Sequence, residues 1–286
     1  MSDEEIWDLP PLRPGYPASP ELAERRARAT GMAEEGTPPA ETTMGGVRCL
    51  LIEPEGGESE GAILYLHGGG YRLGSPLAYV DYARRLATAA GRRIILPFYR
   101  LAPEHPFPAA LHDVVAVFRA VENPASAVIA GDSAGGGLTA ALCIVAARAG
   151  WQPAGAILVS PMLDLTARCD SHDRNAARDA LFSRAAVLDA AKLYLQDHDP
   201  ADPLVSAIHA DPAQFPPLLL LTGGAEVLLD EALDFARSLA VADRRVTLHV
   251  APGMGHVWPL MAPQSPAAAE AVNAMAAFVK GLNGPG

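Results

Sequence analysis

Short, nearly continuous apolar runs recur along the chain at Ala62–Leu66, Arg93–Phe98, Ala127–Ala130, Ala156–Val159, Leu218–Leu221 and Val246–Val250. Runs of this kind, bounded by Gly, Pro or charge, predict strands covered on both faces. Val47–Ile52 predicts a further strand near an edge. Between these runs the apolar spacing lengthens to that of helices, over Leu77–Ala90, Pro108–Val121, Ala134–Ala149, Arg184–Leu195, Leu228–Val241 and Ala267–Val279. Such alternation predicts an α/β fold: a mostly parallel, doubly wound sheet with helices on both faces.

Two stretches break the alternation. Residues 1–45 are rich in Pro and Gly, with one amphipathic helix near Glu21–Thr30. Residues 163–212 are polar, carrying Asp164, Arg168, Asp170, Asp173, Arg174, Arg178 and Asp179 around one short helix. Both are expected to form a small helical cap over one end of a catalytic domain spanning 46–286, because ligands of open α/β sheets bind beyond the carboxyl ends of the strands. A loose tail is the alternative for 1–45.

Composition narrows the partners. Of 286 residues, 50% are hydrophobic and 19% charged, which suits a globular protein with a sizeable core. The net charge of −11 argues against a phosphate backbone as partner. Arg25, Arg26 and Arg28 form the one basic cluster and read as a solvated helix face beside Glu21 and Glu24. No apolar run approaches the ~18 residues of a membrane span. The acidic start, Met1–Glu5, lacks a signal-peptide layout, so a cytoplasmic protein with no membrane partner is expected. Cys49, Cys143 and Cys169 form neither a disulfide framework nor a metal-ligand pattern, and no cofactor or metal is indicated.

The sharpest chemical signal is Gly131-Asp132-Ser133-Ala134-Gly135, between a predicted strand and a predicted helix. A tight strand–turn–helix lifts the serine oxygen clear of the backbone, and the helix N-terminus favours negative charge there. A phosphate-binding loop would need Lys where Gly137 stands. The second signal is His67-Gly68-Gly69-Gly70-Tyr71 at the end of strand 62–66, where consecutive glycines let backbone N–H groups face an oxyanion. Its spacing is not the dinucleotide fingerprint.

With these motifs the chain resembles the hormone-sensitive-lipase family of α/β-hydrolase carboxylesterases. The likeness extends through Tyr99–Ala110, Ser160–Leu165 and Asp202–Ser206, and covers roughly residues 60–260. The resemblance implies Ser133 as nucleophile and the N–H groups of Gly69, Gly70 and Ala134 as oxyanion hole. It implies a cap built from the N-terminal segment and an insertion before the acid-bearing strand. Tyr71, Met162, Leu163 and Trp258 are expected at the substrate pocket, Trp258 standing where the family often has Phe.

The chain order of such triads is Ser, acid, His. Aligning the family's Asp-Pro-Leu-x-Asp pattern on Asp230 puts Glu226 at the acid position, a departure from the commoner Asp. Asp230 is the second candidate. His256, in a Gly-flanked loop after strand 246–250, is the expected base. His67 is expected to shape its loop, Asp132 to support the serine turn, and His112, His172, His198 and His209 to lie at the surface.

The expected activity is serine carboxylesterase chemistry on small uncharged esters of short to medium acyl chain, through a Ser-His-Glu triad and an acyl-enzyme. A lactonase or deacetylase with the same triad, or a ligand-binding homologue without turnover, are the alternatives. The edge strand Val246–Val250 could pair two copies into a homodimer.

Overall fold

A computed structural model describes residues 7–30, 39–56 and 61–282. Eight strands form one sheet: β1 (Ala40–Met44), β2 (Val47–Ile52), β3 (Ala62–Leu66), β4 (Arg93–Pro97), β5 (Val128–Asp132), β6 (Gly155–Val159), β7 (Leu218–Gly223) and β8 (Val246–Ala251). Their order is β1-β2-β4-β3-β5-β6-β7-β8. The pairs β1–β2 and β2–β4 are antiparallel and every other pair is parallel. The central strands β3, β5, β6 and β7 are buried at every position, as their unbroken apolar sequences require.

The helices are α1 (Pro20–Thr30), α2 (Val80–Ala90), α3 (Ala109–Arg119), α4 (Ala134–Arg148), α5 (Ser171–Arg174), α6 (Arg184–Leu195), α7 (Leu229–Val241), α8 (Trp258–Met261) and α9 (Pro266–Gly281). Alternate strand residues divide the core into two clusters, one on each face of the sheet. Ile63, Tyr65, Val128, Ala130, Leu219 and Leu221 face α2 and α9. Leu64, Leu66, Ile129, Leu158, Leu218 and Leu220 face α3, α4 and α7. Local signals set the helix ends. Gly91 closes α2 in a left-handed conformation, its N–H returning to Ala87 O. Ser183 and Ser265 cap α6 and α9 by accepting from Ala186 N and Ala268 N.

The structure answers two expectations and one alternative. The sheet begins at Ala40, not after residue 45: Ala-Glu-Thr-Thr-Met pairs with β2 along its whole length and so belongs to the sheet rather than the cap. An edge strand needs no apolar alternation when only part of one face is covered, which is why its sequence is silent. The N-terminal segment is not a loose tail over its described residues. Trp7 packs edge-on against Phe118 and Tyr16 N–H bonds Pro103 O at 3.1 Å. Third, Arg26 is not part of a solvated face. Its guanidinium grips Glu104 at 2.6 and 2.9 Å and also donates to Ala102 O and Arg72 O. Arg28, by contrast, pairs in the open with Glu24.

No helix among the described residues is long and apolar enough to cross a membrane.

Candidate active site

The predicted chemical residues gather beyond the carboxyl ends of β3, β5, β7 and β8. Ser133 follows β5 with φ 53° and ψ −122°, a strained conformation that a non-glycine residue adopts only where its surroundings hold it. The surroundings do so: Ser133 N–H donates to Val159 O at 2.9 Å, while its own carbonyl accepts from Met162 N at 3.0 Å and Gly137 N at 3.1 Å. Gly135 must be glycine, because a Cβ there would lie 2.0 Å from Leu66 O. The turn therefore presses α4 onto the end of β3 and presents the hydroxyl above the helix N-terminus.

His256 Nε2 lies 2.9 Å from Ser133 Oγ, and its Nδ1 lies 3.1 Å from Glu226 Oε2. This pattern assigns the ring proton to Nδ1, which donates to the carboxylate, and leaves Nε2 to accept from the hydroxyl. Glu226 is fully buried. Its other oxygen accepts from Ser160 Oγ at 2.6 Å and from Gly223 N–H. Ser160 Oγ in turn accepts from Val257 N–H at 3.0 Å, so one hydroxyl ties the acid to the residue after the base. The sequence reading gave Ser160 no role. A signal was available: Ser160 stands one residue past β6, as Ser133 stands one residue past β5.

Gly69 and Gly70, with φ of 123° and 61°, shape the loop after β3. Among the described residues no hydrogen bond uses either of their N–H groups, and that of Ala134 is the first of helix α4. The loop is moored from below by Asp132. Its carboxylate accepts from Gly68 N at 3.2 Å, Tyr65 OH at 3.1 Å and Tyr79 OH at 2.9 Å. Burial raises the Asp132 pKa from the ordinary 3.8 to about 6, against the pull of those tyrosine hydrogen bonds. Burial likewise holds His67 at about 4, a neutral ring hydrogen-bonded to Gly68 O and stacked on Tyr99.

The remaining predicted residues divide. Tyr71 is buried and stacks flat on Tyr194 of α6, with ring centroids 3.8 Å apart. Met162 and Leu163 follow β6, the first bonded to Ser133 O, the second donating to Glu231 Oε2 at 3.0 Å. Glu231 is buried, and burial pushes its pKa well above the ordinary value. Trp258 is a correction. It lies in the core cluster on the α2 and α9 face, with its indole N–H on Ala267 O at 3.3 Å, because α8 turns its first residue under α9. His172 is a second correction, buried rather than superficial. Asp230 does not face His256. It accepts from Ser171 N at 2.8 Å and pairs with Arg174. A surface cleft of about 420 Å³ beside Asp230, lined by Arg168, Cys169, Asp170, Leu233 and Asp234, contains none of Ser133, His256 or Glu226. Among the described residues no group of three or more His, Cys, Asp or Glu is arranged to hold a metal ion.

Comparison with known proteins gives a consistent picture. Residues 63–260 match a family described as having the alpha/beta hydrolase fold. The chain is 37% identical over 257 residues to an acetyl-hydrolase of Streptomyces hygroscopicus, covering 88% of this chain and 86% of that protein. It is 33% identical over 246 residues to an esterase of Acinetobacter venetianus, covering 84% and 81%. Among solved structures, an esterase from the bacterial hormone-sensitive lipase family superposes with TM-score 0.83 at 32% identity, covering 94% of this chain and all of that one. A hormone-sensitive lipase from a metagenome library gives TM-score 0.85 at 33% identity, covering 93% of both chains.

Proposed function

The chain belongs to the hormone-sensitive-lipase family of carboxylic ester hydrolases within the α/β-hydrolase superfamily, and from that premise we propose that it cleaves small uncharged esters of short to medium acyl chain through Ser133, His256 and Glu226. The observation that carries this reading is the continuous hydrogen-bonded line from Ser133 Oγ to His256 Nε2, and from Nδ1 to the buried Glu226 carboxylate.

Ser133 Oγ attacks the ester carbonyl as His256 Nε2 takes its proton. Glu226 holds the Nδ1–H tautomer and stabilises the imidazolium. The N–H groups of Gly69, Gly70 and Ala134 receive the oxyanion, a contribution of about 3–4 kcal/mol for a single donor. The tetrahedral intermediate expels the alcohol, which takes the proton from His256. Water, deprotonated by the same ring, then cleaves the acyl-enzyme to release the acid.

Residues 163–212 and the described residues 7–30 act as the cap, while residues 1–6 and 31–38 of the expected cap lie outside the described residues. Ser133 and His256 are only 4% and 6% exposed, which favours a small substrate. Tyr71, Met162 and Leu163 are taken as walls of the pocket, and their apolar and aromatic side chains suit an uncharged substrate. The acetyl-hydrolase among the relatives favours acetyl as the acyl group, on an alcohol, an amine or within a small ester. A second copy pairs along the open edge of β8, where Leu248 and Val250 stand 39% and 38% exposed, to give a homodimer.

The test is Ser133→Ala with p-nitrophenyl acetate. Turnover falls by about 10⁴-fold or more, and residual turnover above about 1% removes Ser133 from the nucleophile role. A series of p-nitrophenyl esters from acetyl upward then reads the acyl limit.

A further inference from the structure

The two hydrogen bonds of His256 fix its ring at two points, Nδ1 and Nε2. Both bonds act at the edge of the ring and support neither face, so a flat neighbour against one face further restricts rotation about the Cβ–Cγ bond. Phe182 lies there. Its ring is parallel to the imidazole within 6°, with centroids 4.7 Å apart. Phe182 comes from the polar insertion, immediately before the cap of α6, and is remote in sequence from the strand-end loops that carry the triad.

The insertion is fastened to the acid turn as well. Asp179, 7% exposed, accepts from Phe182 N at 3.0 Å and Leu181 N at 3.1 Å through one oxygen, and from Val227 N at 3.0 Å through the other. Asn175 Nδ2 donates to Glu226 O at 2.7 Å. Ser171 Oγ donates to Val227 O at 2.6 Å. Three buried polar side chains at a spacing of four thus each bond the backbone of Glu226 or Val227. The same carboxylate that grips this turn also sets the position of Phe182.

We propose that Phe182 is a positioning residue for His256 and that Asp179 is the anchor joining it to the acid turn, so that the insertion takes part in holding the base rather than only covering the pocket. This rests on the triad reading above. The negative face of the Phe182 ring also favours the imidazolium that forms as Ser133 loses its proton. The stack therefore stabilises the charged state more than the resting one, which acts on kcat rather than on substrate affinity.

The experiment is steady-state kinetics on p-nitrophenyl acetate with Phe182→Leu, Phe182→Tyr, Asp179→Asn and the Phe182→Leu/Asp179→Asn pair. Leu keeps the apolar bulk and loses the flat face, so kcat falls about tenfold while KM stays within about twofold. Tyr restores kcat to within about twofold of the parent, since its ring face is equivalent. Asp179→Asn sets an amide donor against either Val227 N–H or the N–H groups of Leu181 and Phe182 and lowers kcat, and the double variant is no more than about twofold below the worse single one because both changes act through one contact. The rate at which an organophosphate modifies Ser133 falls in step with kcat in Phe182→Leu, since that reaction uses the base without the ester pocket. An unchanged kcat in Phe182→Leu, an effect on KM alone, or multiplying effects in the double variant would overturn the proposal. Should Asp179→Asn not fold, the Leu and Tyr pair decides it alone. An inactive Ser133→Ala beside a fully active Phe182→Leu removes this inference and leaves the triad standing, whereas an active Ser133→Ala removes the triad itself.

Discussion

Glu226 and Asp230 lie four residues apart, one in the turn after β7 and the other in the first turn of α7, and meet different fates. Glu226 turns inward to His256 and Ser160, whereas Asp230 turns outward to Ser171 and Arg174. Glu226→Gln should therefore cost about 10³–10⁴-fold in kcat, through loss of the correct tautomer and of imidazolium stabilisation. Asp230→Asn, at a half-open ion pair, should cost less than about tenfold. Kinetics of the two variants side by side checks the order, and the reverse order moves the acid to Asp230. Beneath the glycine loop, Asp132 and His67 oppose each other in pH. Asp132 holds its proton more tightly folded (about 6) than at its ordinary 3.8, so its share of stability falls as pH rises through that window. His67 is neutral when folded down to about 4 against an ordinary 6.5, so its share rises across nearly the same window. Removing the first exposes the second: Asp132→Asn should show a Tm that climbs more steeply from pH 4 to 6.5 than the parent's. Parallel slopes in the two melting series would contradict the burial assigned to Asp132.

At the scale of elements, burial decides which substitutions matter. Helix α4 is buried on nearly all sides, wedged between the sheet and α3, which matches its weak segregation of apolar and polar positions. Leu142→Ala within it should cost about 2–5 kcal/mol in urea unfolding. Val241→Ala, on the exposed last turn of α7, should stay within about 0.5 kcal/mol. The central strands and long helices were legible because an apolar run or a helical repeat is itself the cause of their burial. β1 was not, since Thr42 and Thr43 hold their place through backbone pairing with β2 and carry little hydrophobic signal. The short helices α5 and α8 were not either. Each is a single turn whose position depends on what it docks against: α5 on the acid turn, α8 under α9.

For the whole molecule, the sheet has one edge at β1 and the other at β8. β8 presents unpaired backbone groups together with exposed Leu248 and Val250, which is the usual invitation to a second sheet. Light scattering should give the mass of two copies for the parent and of one for Leu248→Lys, whose charge blunts the edge; a single-copy mass for both would end the dimer reading. The N-terminal segment is held to the body by Arg26, which joins α1 to Glu104 and to the carbonyl of Arg72 beyond the glycine loop. In sequence the same arginine was one of three neighbours beside two glutamates, and no property of the residue distinguished it from Arg28.

Chain order and the family pattern offered Ser133, His256 and either Glu226 or Asp230 as site candidates, while the chain by itself determined the strand and helix alternation and the glycine turns around Ser133 and after β3. Each of these is dictated locally, by burial periodicity or by a backbone shape that few residues can adopt. Tertiary structure alone decided the partners: Ser160 bridging acid and base, Asp179 joining insertion to acid turn, Phe182 lying flat on His256, and Trp258 turning into the core. Those contacts join segments tens of residues apart, and a serine, an aspartate or an aromatic ring carries no mark in sequence of what the folded chain will bring against it.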